Sequence, residues 1–162
     1  MGLLSTMWHA DRKIKSSEWQ TTVLRTAATL DAPYEWDVNE PVGRIFGFGE
    51  AHLAALRDVS KPLPASLFTE RQQAIGELIK DIGQGSAASA MTMALLKSLF
   101  SDEEVMELFY THGVYAFLAR MMNSCRIDYD PESPGLEDML RKYNAKAIEK
   151  ELGTAAAANG TQ

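Results

Sequence analysis

The tightest constraint on the fold is a recurring four-residue signal: a hydroxyl residue followed three positions later by Glu or Gln, at the head of a run with apolar residues at helical spacing. Ser17-Glu18-Trp19-Gln20, Thr69-Glu70-Arg71-Gln72 and Ser101-Asp102-Glu103-Glu104 all fit it. In such a box the two side chains satisfy the first unpaired amides of a helix reciprocally. After the first box, Trp19, Val23, Ala27 and Leu30 make one stripe, widened by Leu24, and predict a helix that Asp31-Ala32-Pro33 ends. After the second, Phe68, Ile75, Leu78, Ile79 and Ile82 predict the inner face of a helix reaching Ile82. The third opens the longest helix, to about Cys125. Its dominant face is Val105, Leu108, Phe109, His112, Tyr115, Ala116, Ala119 and Met122, with Phe117, Leu118 and Met121 on the other side, as in a helix lying between others.

The intervening segments agree with a helical chain. Residues 34–46 carry Trp36, Val42, Ile45 and Phe46, and Pro41, which has no amide to donate, predicts a bend near Asn39. Gly47-Phe48-Gly49 reads as a turn before a short helix over 50–57. Residues 86–100 hold no charge before Lys97, which predicts a helix buried nearly all round or an apolar seam. A loop at 131–135 precedes one final amphipathic helix over 136–152. No period-two apolar segment bounded by hairpin turns occurs, so the fold class is all-α. The organisation expected is an N-terminal arm over 1–15, a helical domain over 16–130, a C-terminal helix within 131–152 and a flexible tail over 153–162.

Charge and cysteine usage narrow the function classes. With 16 Lys and Arg against 22 Asp and Glu, the net charge of -6 disfavours a sequence-independent grip on nucleic acid or anionic lipid. The single cysteine, Cys125, provides no internal disulfide, no CxxC pair and no thiolate zinc site. No apolar run approaches the ~20 residues that span a bilayer, and the first 15 residues lack a signal-peptide core, so no membrane association and a cytoplasmic location are expected. His9, His52 and His112 are far apart in sequence, and no metal and no cofactor is expected.

The residues that carry chemistry cluster in 31–41. Glu35 lies between Tyr34 and Trp36, whose apolar surfaces can desolvate a carboxyl group and raise its proton affinity. The competing reading is that Glu35 satisfies a backbone amide or pairs with Arg25. His112 and Tyr115 are spaced i, i+3 and share a face of the longest helix, which allows them either to point into a pocket opposite Glu35 or to be ordinary core residues. Asn39 is either a pocket donor or a local cap near Pro41. Met91, Met93, Met106, Met121 and Met122 read as core packing before a ligand cavity, and Cys125 as a small apolar filler before a reactive thiol.

Leu24-Arg25-Thr26-Ala27-Ala28 followed by Asp31-Ala32-Pro33-Tyr34-Glu35-Trp36-Asp37-Val38-Asn39-Glu40-Pro41 resembles the carboxymuconolactone decarboxylase and alkylhydroperoxidase D-like superfamily. Gly47-Phe48-Gly49-Glu50 with Leu53 and Leu56, and the stretch from Glu107-Leu108-Phe109 to Met122-Asn123, extend the resemblance over about residues 16–127. It implies a bundle of about six to seven helices and a homo-oligomer, a trimer or hexamer, with sites near subunit boundaries. The redox branch uses two cysteines in CxxC spacing, a histidine four residues on and an acid in the preceding helix. In that register this chain has Ala32 and Glu35, Asn39 and Gln20, so the resemblance implies no thiol peroxidase activity.

What the resemblance does imply is a cofactor-independent enzyme acting on a small carbonyl, lactone or carboxylate metabolite by decarboxylation or related proton transfer. Asn39 cannot exchange a proton near neutral pH, so the acid–base role falls to Glu35. In this expectation His112 and Tyr115 complete the catalytic set, and Tyr34, Trp36, Asn39 and Arg25 bind substrate. The alternative is a non-catalytic ligand-binding or assembly domain on the same scaffold.

Overall fold

The computed structural model describes residues 12–127 and 134–153. They form eight α-helices and no strand: α1 (Ser16–Thr29), α2 (Pro33–Ile45), α3 (Glu50–Arg57), α4 (Glu70–Gln84), α5 (Ala90–Leu99), α6 (Asp102–Cys125), α7 (Leu136–Tyr143) and α8 (Ala145–Leu152). The chain is all-helical, as its capping signals require. Residues 1–11 of the expected arm, 128–133 of the expected loop and 154–162 of the expected tail lie outside the described residues.

Two of the boxes close as read. Thr69 Oγ1 accepts the Gln72 amide at 3.3 Å while Gln72 Oε1 accepts the Thr69 amide at 3.0 Å. Ser101 and Glu104 do the same at 3.3 and 2.8 Å, each cap contributing about 1 kcal/mol. The first box is shifted. Helix α1 begins at Ser16, and it is Glu18 whose carboxylate accepts the Lys15 amide, at 2.9 Å, leaving Gln20 in the interior.

The central helix is α1, which buries more polar side chains than any other described helix. It packs on α2, α3, α4 and α6, and Trp19, Val23 and Leu24 are buried with Glu18, Gln20, Thr21, Thr22, Arg25 and Thr26. Buried polar groups are tolerated when partnered. Thr21 and Thr22 donate to the carbonyls of Ser17 and Glu18 at 2.8 and 3.0 Å, and Gln72 Nε2 donates to Thr21 Oγ1 at 3.1 Å. Arg71 reaches from α4 to Glu18 on α1 and Glu104 on α6, both at 2.6 Å, and to the Leu99 carbonyl at 2.6 Å. α1 and α4 approach closely at Gly83, where a Cβ would meet Thr29 Cγ2 at 2.6 Å.

Helix α2 runs as one helix through Pro41. The carbonyl that loses its partner there belongs to Asp37, an exposed residue. Several expectations are corrected. Helix α5 is not buried all round: only Thr92 and Leu96 are, and Met91 is 82% exposed. Helix α6 buries one face, while Met106, Phe117 and Met121 stand in solvent. The methionines therefore do not simply fill the core, and Cys125 is exposed, not an apolar filler. The last helix is two. Asn144 Nδ2 donates to the Leu140 carbonyl at 2.8 Å, and this local bond competes with continuation of α7 into α8.

Candidate functional site

The junction of α1 and α2 sets the site. Asp31 adopts a left-handed backbone, φ 48°, and the Ala32 amide returns to the Ala27 carbonyl at 2.9 Å. This turns the chain sharply enough for Pro33 to start α2 at a position that needs no amide. Asn123, near the end of α6, pins the turn by donating to the Asp31 carbonyl at 3.1 Å. The side chains of Glu35 and Asn39, one turn apart on α2, then meet α6.

Glu35 is buried, 4% exposed. Asn39 Nδ2 donates to the Glu35 backbone carbonyl at 2.8 Å and lies 3.4 Å from its carboxylate. On its other side Asn39 Oδ1 accepts the Tyr115 hydroxyl at 3.4 Å. Burial pushes the Glu35 carboxyl up to about 7, and no cation offsets it. Burial, reinforced by the nearby Glu35 charge, pushes the Tyr115 phenol well above its usual range and keeps it a neutral donor. Trp19 of α1 packs edge-on against Tyr115, ring centroids 6.0 Å apart.

His112 is on the same face of α6, one turn before Tyr115, and its Nδ1 lies 3.0 Å from Thr26 Oγ1 on α1. Burial, with the Arg120 charge adding to it, holds the imidazole below its ordinary value and therefore neutral. Glu35, Asn39 and Tyr115 thus form one hydrogen-bonded chain, and His112 and Thr26 a neighbouring pair. Thr26 was not predicted, although it sits seven residues from Trp19 on the same stripe of α1.

Arg25 belongs to neither. Its guanidinium, 2% exposed, donates to the carbonyls of Ala55, Leu56, Asp58 and Lys61 at 2.7 to 3.2 Å. It fastens the end of α3 and the loop beyond, so both expected roles, pairing with Glu35 and binding substrate, give way to a structural one. Tyr34 is half-buried in the first turn of α2. Trp36 Nε1 donates to Glu40 at 2.6 Å, and the Arg57 guanidinium lies over the Trp36 ring at 4.4 Å. Burial alone would raise Glu40, but Arg44, Trp36 and Arg57 together hold it below its ordinary value.

A cleft of about 290 Å³ opens beside this ring, with Ala28, Asp31, Ala32, Trp36, Asp37 and Arg57 in its walls. Trp36 is the only predicted site residue that faces it; Glu35 is on the adjoining side of α2, turned toward α6. Gln20 is fully buried, and its Nε2 and Oε1 have no hydrogen-bond partner among the described residues. Among those residues no three His, Cys, Asp or Glu converge to hold a metal ion, and no helix is long and apolar enough to cross a membrane. Comparisons with known protein families, with curated proteins and with solved structures find no match.

Proposed function

We propose that the protein is a cofactor-independent acid–base enzyme of the carboxymuconolactone decarboxylase type, acting on a small carbonyl, lactone or carboxylate metabolite. The observation that carries this reading is the Glu35 carboxyl, buried without a cation partner among the described residues, where burial pushes it up to about 7. A group poised there takes and returns a proton with the least penalty in either direction. Asn39 orients the carboxyl and holds the Tyr115 hydroxyl, which as a neutral donor suits an enolate-like oxygen. Neutral His112 is a second donor on the same face. Trp36 and the adjacent cleft, on the adjoining side of α2, provide the entry side.

The test is turnover of a panel of small lactones, β-keto acids and enol carboxylates. The reading predicts a rate that titrates near pH 7 and falls by at least ~100-fold in Glu35→Gln. A substrate turned over equally well by that variant contradicts it.

A second reading, assembly, is favoured by a separate observation and is compatible with the first. Met106, Tyr110, Gly113 and Phe117 follow one face of α6, and Met106 and Phe117 are 66% and 64% exposed. The face is self-complementary. Met106 and Met121, and Tyr110 and Phe117, are related through one midpoint, between Gly113 and Val114, as a two-fold contact requires. An antiparallel pair of α6 helices also sets the acidic start, Asp102 and Glu103, near the C-cap Arg126 of its mate. We therefore assign this face to a second copy of the chain, which fits a hexamer better than a cyclic trimer because only the former contains two-fold axes.

A further inference from the structure

Three of the threonines on α1 direct their hydroxyls in the same way. Thr21, Thr22 and Thr29 donate to the carbonyls four residues earlier, those of Ser17, Glu18 and Arg25, at 2.8, 3.0 and 2.7 Å. Thr26 does not. Its Oγ1 meets His112 Nδ1 at 3.0 Å, and no other partner of this hydroxyl occurs among the described residues. Thr26 is fully buried, so bulk water does not serve it. A buried hydroxyl proton left without an acceptor costs about 1–3 kcal/mol. The Thr26 proton is therefore directed at Nδ1, which accepts it with its lone pair, and the single proton of the imidazole resides on Nε2.

The ring is neutral, because burial together with the Arg120 charge holds it below its ordinary value. Nε2 has no hydrogen-bond partner among the described residues, and it is not one of the polar atoms sealed from solvent. The neighbouring donors are engaged. The Tyr115 hydroxyl donates to Asn39 Oδ1, and Asn39 Nδ2 donates to the Glu35 backbone carbonyl. The Nε2–H of His112 is thus the donor in this cluster that can meet a ligand oxygen without breaking an existing bond.

We infer that Thr26 is a positioning residue, which fixes the His112 proton on Nε2 and leaves that N–H as the unengaged donor for a substrate oxygen. With Nε2 protonated and Nδ1 occupied, His112 is not the base, and proton abstraction stays with Glu35. The imidazole instead donates to the oxygen on which negative charge develops. This catalytic consequence rests on the acid–base reading, whereas the tautomer itself does not.

Nitrogen-15 NMR of the labelled full chain near pH 8, with the His112 signals assigned by their loss in His112→Gln, reads the tautomer without a substrate. The expected result is a protonated Nε2 and an unprotonated Nδ1, with the other tautomer below about a tenth of the population. Thr26→Val keeps the shape and removes the hydroxyl, and it raises the share of the Nδ1–H form at least ~5-fold; Thr26→Ser restores the parent ratio. Glu35→Gln leaves the parent tautomer in place, so failure of the acid–base reading and failure of this inference are separable. With a substrate that the parent turns over, Thr26→Val lowers kcat at least ~10-fold and changes KM less than ~3-fold, while Thr26→Ser stays within ~3-fold of the parent in both. A ring protonated on Nδ1 in the parent, a tautomer ratio unmoved by Thr26→Val, or parent-like kcat in that variant overturns the inference.

Discussion

Glu35 and Tyr115 share the amide of Asn39: its Nδ2 lies 3.4 Å from the carboxylate and its Oδ1 accepts the phenol at 3.4 Å, joining α2 to α6 inside the protein. A carboxyl group so placed is a liability to folding whenever it is ionised.

That liability has a definite sign. The folded protein keeps the Glu35 proton to about pH 7, whereas the ordinary value is 4.5. Between these values the native state binds more protons than the unfolded chain, so stability is full below pH 4.5 and falls as pH rises through 7. Glu35→Gln removes the dependence. Urea unfolding of both proteins at intervals from pH 4 to 8 is expected to show the variant gaining about 3 kcal/mol on the parent across the window and no more above it. A difference that stays flat with pH counts against the raised affinity.

Arg25 donates to four carbonyls, one of them the buried Leu56 carbonyl, so Arg25→Met removes the donor that fastens the end of α3 to the loop beyond. The expected loss is about 3 kcal/mol by urea unfolding, with any activity falling only through stability. A variant with parent stability and lost substrate binding would restore Arg25 to the site.

Phe117→Glu places a charge at the middle of the exposed face of α6. Light scattering after size exclusion is expected to show an oligomer for the parent and at least ~30-fold weaker self-association for the variant. A parent that is monomeric at micromolar concentration ends the assembly reading.

Gly113 makes a paired test. A Cβ there meets nothing within 4 Å among the described residues, so Gly113→Ala is expected to stabilise an isolated chain by about 0.5 to 1 kcal/mol. If a second helix closes on this face, the same methyl weakens association. Stabilisation together with unchanged association shows that no helix approaches there.

Much of the architecture can be read along the chain because capping and periodicity are local. Thr69 and Ser101 find their partners three residues away, and the turn at Gly47 and the extent of α3 follow from two glycines and two leucines. What local pattern cannot give is which faces have partners. Helices α5 and α6 are apolar enough to be central, yet the centre is α1, whose threonines, Glu18 and Arg25 find partners tens of residues distant. Arg25 looked like a partner for Glu35 because both stand near one helix junction; its real acceptors are contributed by residues 55–61, which no spacing rule connects to it. Glu35 is buried as expected, but on the side of α2 facing Asn39 and Tyr115 and not between its two aromatic neighbours, since Trp36 turns to the cleft; the i, i+3 spacing put His112 and Tyr115 on one face. Thr26, which takes His112 to itself, was not legible.

The central claim is a carboxyl that changes charge near neutrality inside a helical bundle. Carbon-13 NMR of the Glu35 side-chain carboxyl, assigned by its loss in Glu35→Gln, measures this without knowledge of a substrate. The account predicts a titration midpoint of about 7, and a midpoint in the ordinary range near 4.5 contradicts it.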